Sequence, residues 1–357
     1  LDEGFVVKDA SAYNIQWIGA RPVFIDLPSF QRHEEGEPWI GYLQFCQLFL
    51  YPLMLTAYRG LPFQPWLRGS LEGISPEECA DLLSLRDRLR PGVFLDVYLQ
   101  SRLQRAASGR RVSARREVQR SGFSAEMIRR NVRRLMKVVD RLEWRQDRST
   151  WSEYEREHGY DEADLAAKRS FVGRALERRR WSLVWDLGAN TGAYSKLAAN
   201  SAEYVVSMDA DRLAVERLYR ELAPGEREVG NLLPLVQNIG DPSPSQGWRL
   251  AERRSLAARG APDLVLALAL VHHLVLGANI PLDEVVTWLA DLGGHLVIEW
   301  VGRSDPMVER LLLNKEDLFR DYERETFDRL LEERFEVLER HELDSGTRVL
   351  VLARPRP

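Results

Sequence analysis

The fold of this chain is decided by the stretch Val184-Trp185-Asp186-Leu187-Gly188-Ala189-Asn190-Thr191-Gly192-Ala193-Tyr194-Ser195. The apolar residues at its start are typical of the end of a buried parallel strand. Gly188, Asn190 and Gly192 then predict a tight turn with little side-chain bulk, and residues 193–200 predict a helix. A strand, a small-residue turn and a helix place backbone N–H groups and a helix N-terminus beside whatever binds there.

The spacing of this turn is D-x-G-x-N-x-G, so Asn190 stands where the dinucleotide-binding fingerprint has its second glycine. The turn resembles motif I of the class I S-adenosylmethionine (SAM) dependent methyltransferases. That resemblance implies that the turn packs under the methionine end of SAM and that Asp186 helps to hold the SAM amino group. The alternative is an ordinary strand–helix turn of an α/β domain.

A second acid follows the turn at an informative distance. Residues 204–208 predict a short apolar strand ended by Asp209, which lies 23 positions after Asp186 (209 − 186 = 23). An acid about 20 residues past a glycine turn is where a ribose diol is bound, because a carboxylate accepts two hydrogen bonds at once. Asp211 could share this role, and a solvated acid at a strand end is the alternative.

Length and composition set the broad class. With 357 residues two domains are expected, and 45% apolar and 29% charged residues are typical of a globular protein. The net charge of −4 does not by itself favour nucleic acid or membrane partners. Two cysteines exclude a disulfide framework and a cysteine-rich metal site, so we expect a reducing cytoplasm and no metal. The apolar runs are too short to span a bilayer and no signal peptide is expected. Because the first residue is Leu1, we expect the chain to begin within a longer product or after processing.

From Trp181 onward strands and helices alternate, with further strands predicted at residues 233–237, 263–269, 296–300, 335–339 and 348–353. A helix is expected at residues 249–259. This order predicts an α/β fold, a Rossmann-like seven-stranded class I methyltransferase sheet whose last strand is antiparallel. The handedness of crossover connections then puts the ligand at the carboxyl ends of the strands, beside the first one.

Candidate catalytic residues follow the fourth strand of this sheet. His272 and His273 come directly after it, where an imidazole could remove a proton near neutral pH, and we prefer His273 slightly as the base. A structural histidine in an apolar run is the alternative for each. Candidate cofactor-binding residues are Asp186, Gly188, Asn190, Gly192, Asp209, Asn238 and Ile239, the last two at the position that reads the adenine amine in this fold. Asp241, Trp248 and Glu299 are candidates for the substrate pocket.

Four stretches together carry a narrower resemblance: residues 185–195, 238–248, 263–274 and 298–313. They are similar to a bacterial methyltransferase group related to nodulation host-specificity proteins. This resemblance implies SAM as the cofactor and says little about the methyl acceptor.

The N-terminal part is expected to be an α-rich accessory domain over residues 1–105, followed by a basic helical connector over 106–165 and the methyltransferase domain over 166–357. Near the start, Asp9, Asn14 and Asp26 stand in the order of the catalytic and metal-binding residues of aminoglycoside-phosphotransferase-like kinases. Val7-Lys8 replaces the His-Gly usual in that family, and no glycine-rich loop precedes it. A degenerate kinase-like remnant and a coincidence remain open.

Residues 101–148 carry fifteen basic side chains against five acidic ones, and residues 127–142 show one apolar stripe with a basic outer face. This segment is either a nucleic-acid surface or a solvated helix whose arginines pair with the acid-rich C-terminal region, and we favour the second. Trp151, Tyr154, Tyr160 and Phe171 are expected to pack against the SAM domain.

We therefore expect a cytoplasmic, SAM-dependent methyltransferase that acts on a small polar metabolite, such as a sugar or a secondary-metabolite intermediate. One alternative is an RNA or ribosomal-protein methyltransferase, argued from the basic segment. Another is an interaction subunit with the same fold and no turnover.

Overall fold

The computed structural model describes residues 1–108, 124–146, 161–222, 230–313, 315–316 and 318–356. The chain divides into two compact units. The first contains Leu1–Gln16 and Pro22–Gln146, and the second contains Trp17–Arg21 and Asp147–Pro357. In the described residues no helix is both long and apolar enough to cross a membrane.

Four short strands open the chain: β1 (Phe5–Val7), β2 (Ile15–Ile18), β3 (Arg21–Phe24) and β4 (Phe30–Arg32). Strand β1 pairs with β4 in antiparallel fashion, and β2 pairs with β3. Helical elements follow: α1 (Tyr42–Phe45), a π-helical turn (Cys46–Leu50), α2 (Tyr51–Arg59), α3 (Gln64–Gly69), α4 (Pro76–Leu82), a second π-helical turn (Val93–Leu99), α5 (Gln100–Ser108) and α6 (Ala125–Val139).

Local sequence signals explain how these helices begin and pack. Helix α4 starts with the expected capping box, in which Ser75 and Glu78 each accept a hydrogen bond from the other's backbone N–H. On α6 the apolar stripe is buried at Ile128, Leu135 and Val138. Leu135 and Val138 join a core that includes residues of α2 and of the second π-helical turn. An α-rich N-terminal part is therefore present.

The second unit is built on one sheet of seven strands: β5 (Trp181–Leu187), β6 (Ala202–Asp209), β7 (Leu232–Val236), β8 (Leu264–Ala267), β9 (His295–Val301), β10 (Phe335–Glu342) and β11 (Arg348–Pro355). Their order across the sheet is β10-β11-β9-β8-β5-β6-β7. Strand β11 runs antiparallel to both of its neighbours, and the pairs among β5 to β9 are parallel. The predicted seven-stranded sheet with an antiparallel last strand is confirmed.

Helices cover both faces of this sheet: α7 (Glu162–Glu177), α8 (Ala193–Ala199), α9 (Arg212–Leu222), α10 (Leu282–Asp291), α11 (Pro306–Leu312) and α12 (Arg324–Arg334). One core contains α10 and α12 residues with Leu296 and Ile298 of β9, and the other contains α7 and α9 residues with Val297. Because successive strand residues point to opposite faces, each face of the sheet has its own core.

The prediction of a helix at residues 249–259 is wrong. The structure has only short 3₁₀ turns at Trp248–Leu250 and Leu256–Ala258. Arg249 and Leu250 adopt φ of +56° and +57°, a left-handed conformation that stops a helix from propagating. Backbone hydrogen bonds between Gln246 and Arg253 close the intervening residues into a loop.

Candidate active site

The turn after β5 is held by backbone hydrogen bonds and by three residues with positive φ. Gly188, Asn190 and Gly192 have φ of +76°, +50° and +77°. The N–H groups of Gly188 and Ala189 donate to the carbonyl of Met208 at 2.9 and 3.0 Å. A Cβ on Gly192 would lie 2.6 Å from Leu218 of α9. Glycine is therefore required there both by backbone conformation and by the close approach of a helix.

Asp209 faces this turn. One oxygen of its carboxylate accepts a hydrogen bond from the backbone N–H of Asn190 at 2.7 Å, and the other accepts one from the N–H of Asp211 at 2.7 Å. Burial raises the pKa of Asp209, and these backbone donors oppose that rise. A carboxylate has about four lone-pair sites, so Asp209 keeps capacity to accept a hydrogen bond from a ligand. The side-chain oxygen of Asn190 is buried and has no hydrogen-bond partner within the described residues.

Asp186 is buried at the end of β5 and points into the protein interior. The hydroxyl of Ser195 on α8 donates to its carboxylate at 2.5 Å, and Ser207 of β6 lies 2.8 Å from the same hydroxyl. Burial raises the pKa of Asp186 to about 6, against the lowering effect of the Ser195 hydrogen bond and the Lys168 charge. The carboxylate thus ties α8 to the sheet, and its role as a cofactor ligand stays a prediction.

The residues after β7 form the next edge of the site. Asn238 is exposed, and its side-chain oxygen accepts the N–H of Gly240 at 3.0 Å. Ile239 is half-buried against the core. Gln237, which the sequence reasoning missed, is buried and accepts the hydroxyl of Ser243 at 3.0 Å. A glutamine at the end of a predicted strand was the available signal.

The loop that follows presents the predicted substrate residues Asp241 and Trp248 to solvent. Asp241 is exposed, and the Trp248 side chain is 79% exposed. Gly247, which precedes Trp248, has φ of +81°, and Arg249 and Leu250, which follow Trp248, also have positive φ. The backbone thus turns the indole outward on a short, constrained loop.

The two histidines follow β8 on a turn of unusual backbone. Ala269 has φ of +48°, and a π-helical turn begins at His273 and ends at Gly277. His272 has no exposed surface, and its ring centroid lies 4.0 Å from that of half-buried His273. Burial lowers the pKa of His273 to about 4 and that of His272 well below its usual value.

Glu299, predicted to line the substrate pocket, is buried in an ionic cluster. Its carboxylate lies 2.7 Å from the Lys168 ammonium of α7 and 3.3 Å from the Arg348 guanidinium of β11. Arg348 in turn donates to both oxygens of Asp305, at 2.7 and 3.1 Å. All four side chains are buried. The substrate role of Glu299 stays a prediction.

Lys168 and Arg348 were missed by the sequence reasoning, although a signal was present. Lys168 lies on the buried stripe of α7 between Asp164 and the pair Val172 and Ala175, with successive spacings of four, four and three residues. A lysine on such a stripe indicates a buried partner. Burial lowers the pKa of Lys168, and the charge of Glu299 opposes that effect.

The kinase-like residues of the first unit are close together. The Asn14 amide donates to the backbone carbonyl of Asp9 at 3.2 Å and to the Ser29 hydroxyl at 3.0 Å, and Ser29 donates to the Asp26 carboxylate. Across the described ranges no three His, Cys, Asp or Glu side chains are grouped so that they could hold a metal ion. Any kinase-like role of these residues stays a prediction.

The basic segment is described only in part, since residues 109–123 and 147–148 lie outside the described residues, as do Trp151, Tyr154 and Tyr160. On α6, Arg134 donates to both oxygens of buried Asp96 at 2.7 and 2.5 Å. Arg129 pairs with Asp2 and Arg133 with Glu126 on the surface, so these arginines pair with acids of the first unit and not, as expected, with the C-terminal region. Phe171 is buried in the core of the second unit.

Taken together, the strand order, the glycine turn after β5 and the acid at the end of β6 define the class I SAM-dependent methyltransferase fold. Comparison with curated proteins then identifies the family. The chain is 32% identical to nodulation protein NoeA of Rhizobium meliloti (strain 1021) over 352 residues, which are 98% of this chain and 73% of that protein. It belongs to the NoeA family. No protein-family model matches the chain.

Solved structures give weaker likenesses. N-methyltransferase NodS from Bradyrhizobium japonicum WM9, in complex with S-adenosyl-L-homocysteine, aligns with 59% of this chain and 100% of its own at 14% identity and a TM-score of 0.41. Magnesium protoporphyrin IX methyltransferase from Synechocystis PCC 6803, with bound SAM, aligns with 58% of this chain and 92% of its own at 14% identity and a TM-score of 0.38. At such scores these likenesses carry no argument about activity.

Proposed function

We propose that this chain is a SAM-dependent methyltransferase whose cofactor binds across the carboxyl ends of β5 and β6. The observation that carries the proposal is the Asp209 carboxylate. It is held in place by the N–H of Asn190, at the turn where a class I methyltransferase binds its cofactor. A carboxylate fixed by backbone donors is already oriented to accept the two hydroxyls of a ribose.

The residues present fit such a cofactor. Gly188 and Gly192 add no side chain to the turn, and the buried side-chain oxygen of Asn190 lacks a partner within the described residues. Buried polar atoms without partners are rare and often mark a ligand site. Asp209 would hold the ribose, Asn238 and Ile239 the adenine edge, and the turn the methionine end. When bound, SAM supplies an electrophilic methyl group on a positively charged sulfur.

For the acceptor we propose a small polar metabolite, such as a sugar or a secondary-metabolite intermediate. The support is the loop after β7, where the exposed indole of Trp248 and the exposed carboxylate of Asp241 are near each other in sequence. An aromatic ring packs against the apolar face of a sugar, and a carboxylate accepts hydrogen bonds from its hydroxyls.

The chemistry asks the protein to align the acceptor with the methyl group, to exclude water and to receive a proton. One of the two histidines after β8 is the proposed proton acceptor. We place the reaction in the cytoplasm, because Cys46 and Cys79 are free and buried, as in proteins of a reducing compartment.

Two measurements test the proposal. Calorimetry should detect binding of SAM and of its demethylated product, and incubation of the protein with fractionated lysate and tritiated-methyl SAM should label a small-molecule fraction. Labelled RNA or ribosomal protein would instead favour the basic segment as a substrate surface, with steep salt dependence. SAM binding without any labelled fraction would point to an interaction subunit, and no SAM binding would overturn the proposal.

A further inference from the structure

The turn that carries the histidines is strained. Ala269 is an alanine with φ of +48°, a conformation that costs an L-residue about 1 kcal/mol or more. Four residues later the chain enters a π-helical turn at His273. Left-handed backbone at residues other than glycine and π-helical turns both concentrate at functional sites. Within this turn His272 is the side chain whose environment is least satisfied.

His272 is fully buried, and neither of its ring nitrogens has a hydrogen-bond partner in the part of the chain that the structure describes. A neutral imidazole has one N–H donor and one acceptor nitrogen, so two polar groups are left without partners. Leaving a buried polar group unpaired costs about 1–3 kcal/mol. A purely structural residue at this place would be apolar, and the histidine therefore points to a ligand that meets it during function.

We propose that His272, rather than His273, takes the proton from the methyl acceptor. The acceptor is then a compound with a hydroxyl or amine group. This rests on the proposed function. A lone pair of the acceptor oxygen or nitrogen forms the bond to the methyl carbon, and the carbon–sulfur bond breaks with its electron pair going to sulfur. The acceptor's proton passes to the acceptor nitrogen of His272, which becomes an imidazolium and later gives that proton to solvent.

Charges around His272 keep its ring available for that proton. Burial lowers the pKa of His272 well below its usual value, and the electrostatic effects of His273, of Arg348 on β11 and of Lys168 on α7 lower it further. The ring is therefore neutral at pH 7. A weak base is sufficient here, because the acceptor's proton becomes strongly acidic as the bond to the methyl group forms.

The two neighbours differ in position. His273 is half-buried and lies against the His272 ring at 4.0 Å. Its ring thus covers part of the His272 ring, and in the proposed mechanism a rotation of the His273 side chain gives the acceptor access to the inner ring. This arrangement gives His273 a covering role and reverses the preference drawn from sequence alone.

A matched pair of variants, His272→Leu and His273→Leu, tests the assignment by tritiated-methyl transfer to the fraction that wild-type protein labels. We expect His272→Leu to transfer methyl at least about 100-fold more slowly and His273→Leu to stay within about 5-fold of wild type. SAM binding by calorimetry should be unchanged in both. Because Leu removes two unpaired polar groups, His272→Leu should unfold at the same temperature as wild type or higher, which a structural histidine would not show.

A second variant guards against misfolding and adds a pH profile. His272→Asn should regain rate as pH is raised, because an acceptor that loses its proton to solvent no longer needs the base. Wild-type rate should hold as pH falls through 6.5, since the ring is protonated only well below that value. Loss of transfer in His273→Leu alone, or equal loss in both variants, overturns the assignment. If wild-type protein binds SAM but labels nothing, the proposed function itself fails and this inference fails with it.

Discussion

The Asp209 carboxylate accepts the backbone N–H of Asn190 at 2.7 Å, so the acid at the end of β6 is fixed to the glycine turn at the end of β5. The two residues are 19 positions apart in sequence. This contact joins the two parts of the proposed cofactor site before any ligand is bound, and it makes the site preorganised.

Asp209→Asn should weaken SAM binding by about 10- to 100-fold, because charge-assisted hydrogen bonds of about 1.5–3 kcal/mol are lost and an amide N–H₂ is turned toward a backbone donor. Calorimetry with SAM and with S-adenosylhomocysteine measures the change. Glu221→Gln, which removes an exposed partner of Lys196 on the same unit, is the control and should bind normally. Unchanged affinity in Asp209→Asn would place the ribose elsewhere.

Gly192→Ala should lower the free energy of unfolding by about 2 kcal/mol or more. The alanine would have to adopt a left-handed φ, and its Cβ would lie 2.6 Å from Leu218. Urea titration followed by circular dichroism measures it. Two controls separate the causes. Gly346 has φ of +69° and open space around it, so Gly346→Ala measures the cost of the left-handed backbone alone. Gly173→Ala lies inside α7 with open space and should be slightly stabilising. A tolerated Gly192→Ala would contradict the close approach of α9.

Arg348→Met should lower the free energy of unfolding by about 3–5 kcal/mol, because it leaves buried Asp305 without its main cation and weakens the pairing of Glu299. Differential scanning calorimetry, which measures the midpoint of thermal unfolding, detects this loss of stability. Arg354→Met on the same strand is the control, since its pair with Glu336 is about half exposed and should contribute little. Equal midpoints for the two variants would mean that the buried cluster is solvated in solution.

Asp186 should make stability depend on pH below neutrality. Its pKa is raised to about 6 in the folded chain, above its usual 3.8, so the folded state binds the extra proton. The stability it contributes is therefore present below pH 3.8 and is lost as pH rises through 6. The free energy of unfolding of Asp186→Asn should rise relative to wild type from pH 4 to pH 6 and stay level above. The histidines affect wild type and variant alike, so the difference between the two free energies of unfolding cancels their opposite pH dependence. If that difference did not change with pH, the burial of an ionisable acid at this position would be contradicted.

Sequence alone predicted the parts of the fold that rest on local periodicity. Strand β9 alternates between two cores, and a run of apolar residues bounded by turns was enough to predict it. The absence of a helix at residues 249–259 could not be predicted in this way. It results from the left-handed backbone of Arg249 and Leu250, which neither residue type requires.

The site was predictable where it depends on spacing along the chain. The glycine turn and the acid 23 positions after Asp186 follow from residue types at fixed intervals, since glycine conformation and carboxylate chemistry are local properties. What only the tertiary structure decided is how buried polar groups are paired. Lys168 meets Glu299 across 131 positions (299 − 168 = 131) at 2.7 Å, Asp186 turns inward to Ser195, and His272 is left without a partner while His273 is half-buried. Pairing in an interior depends on which helices cover which strands, and no spacing within a single segment contains that information.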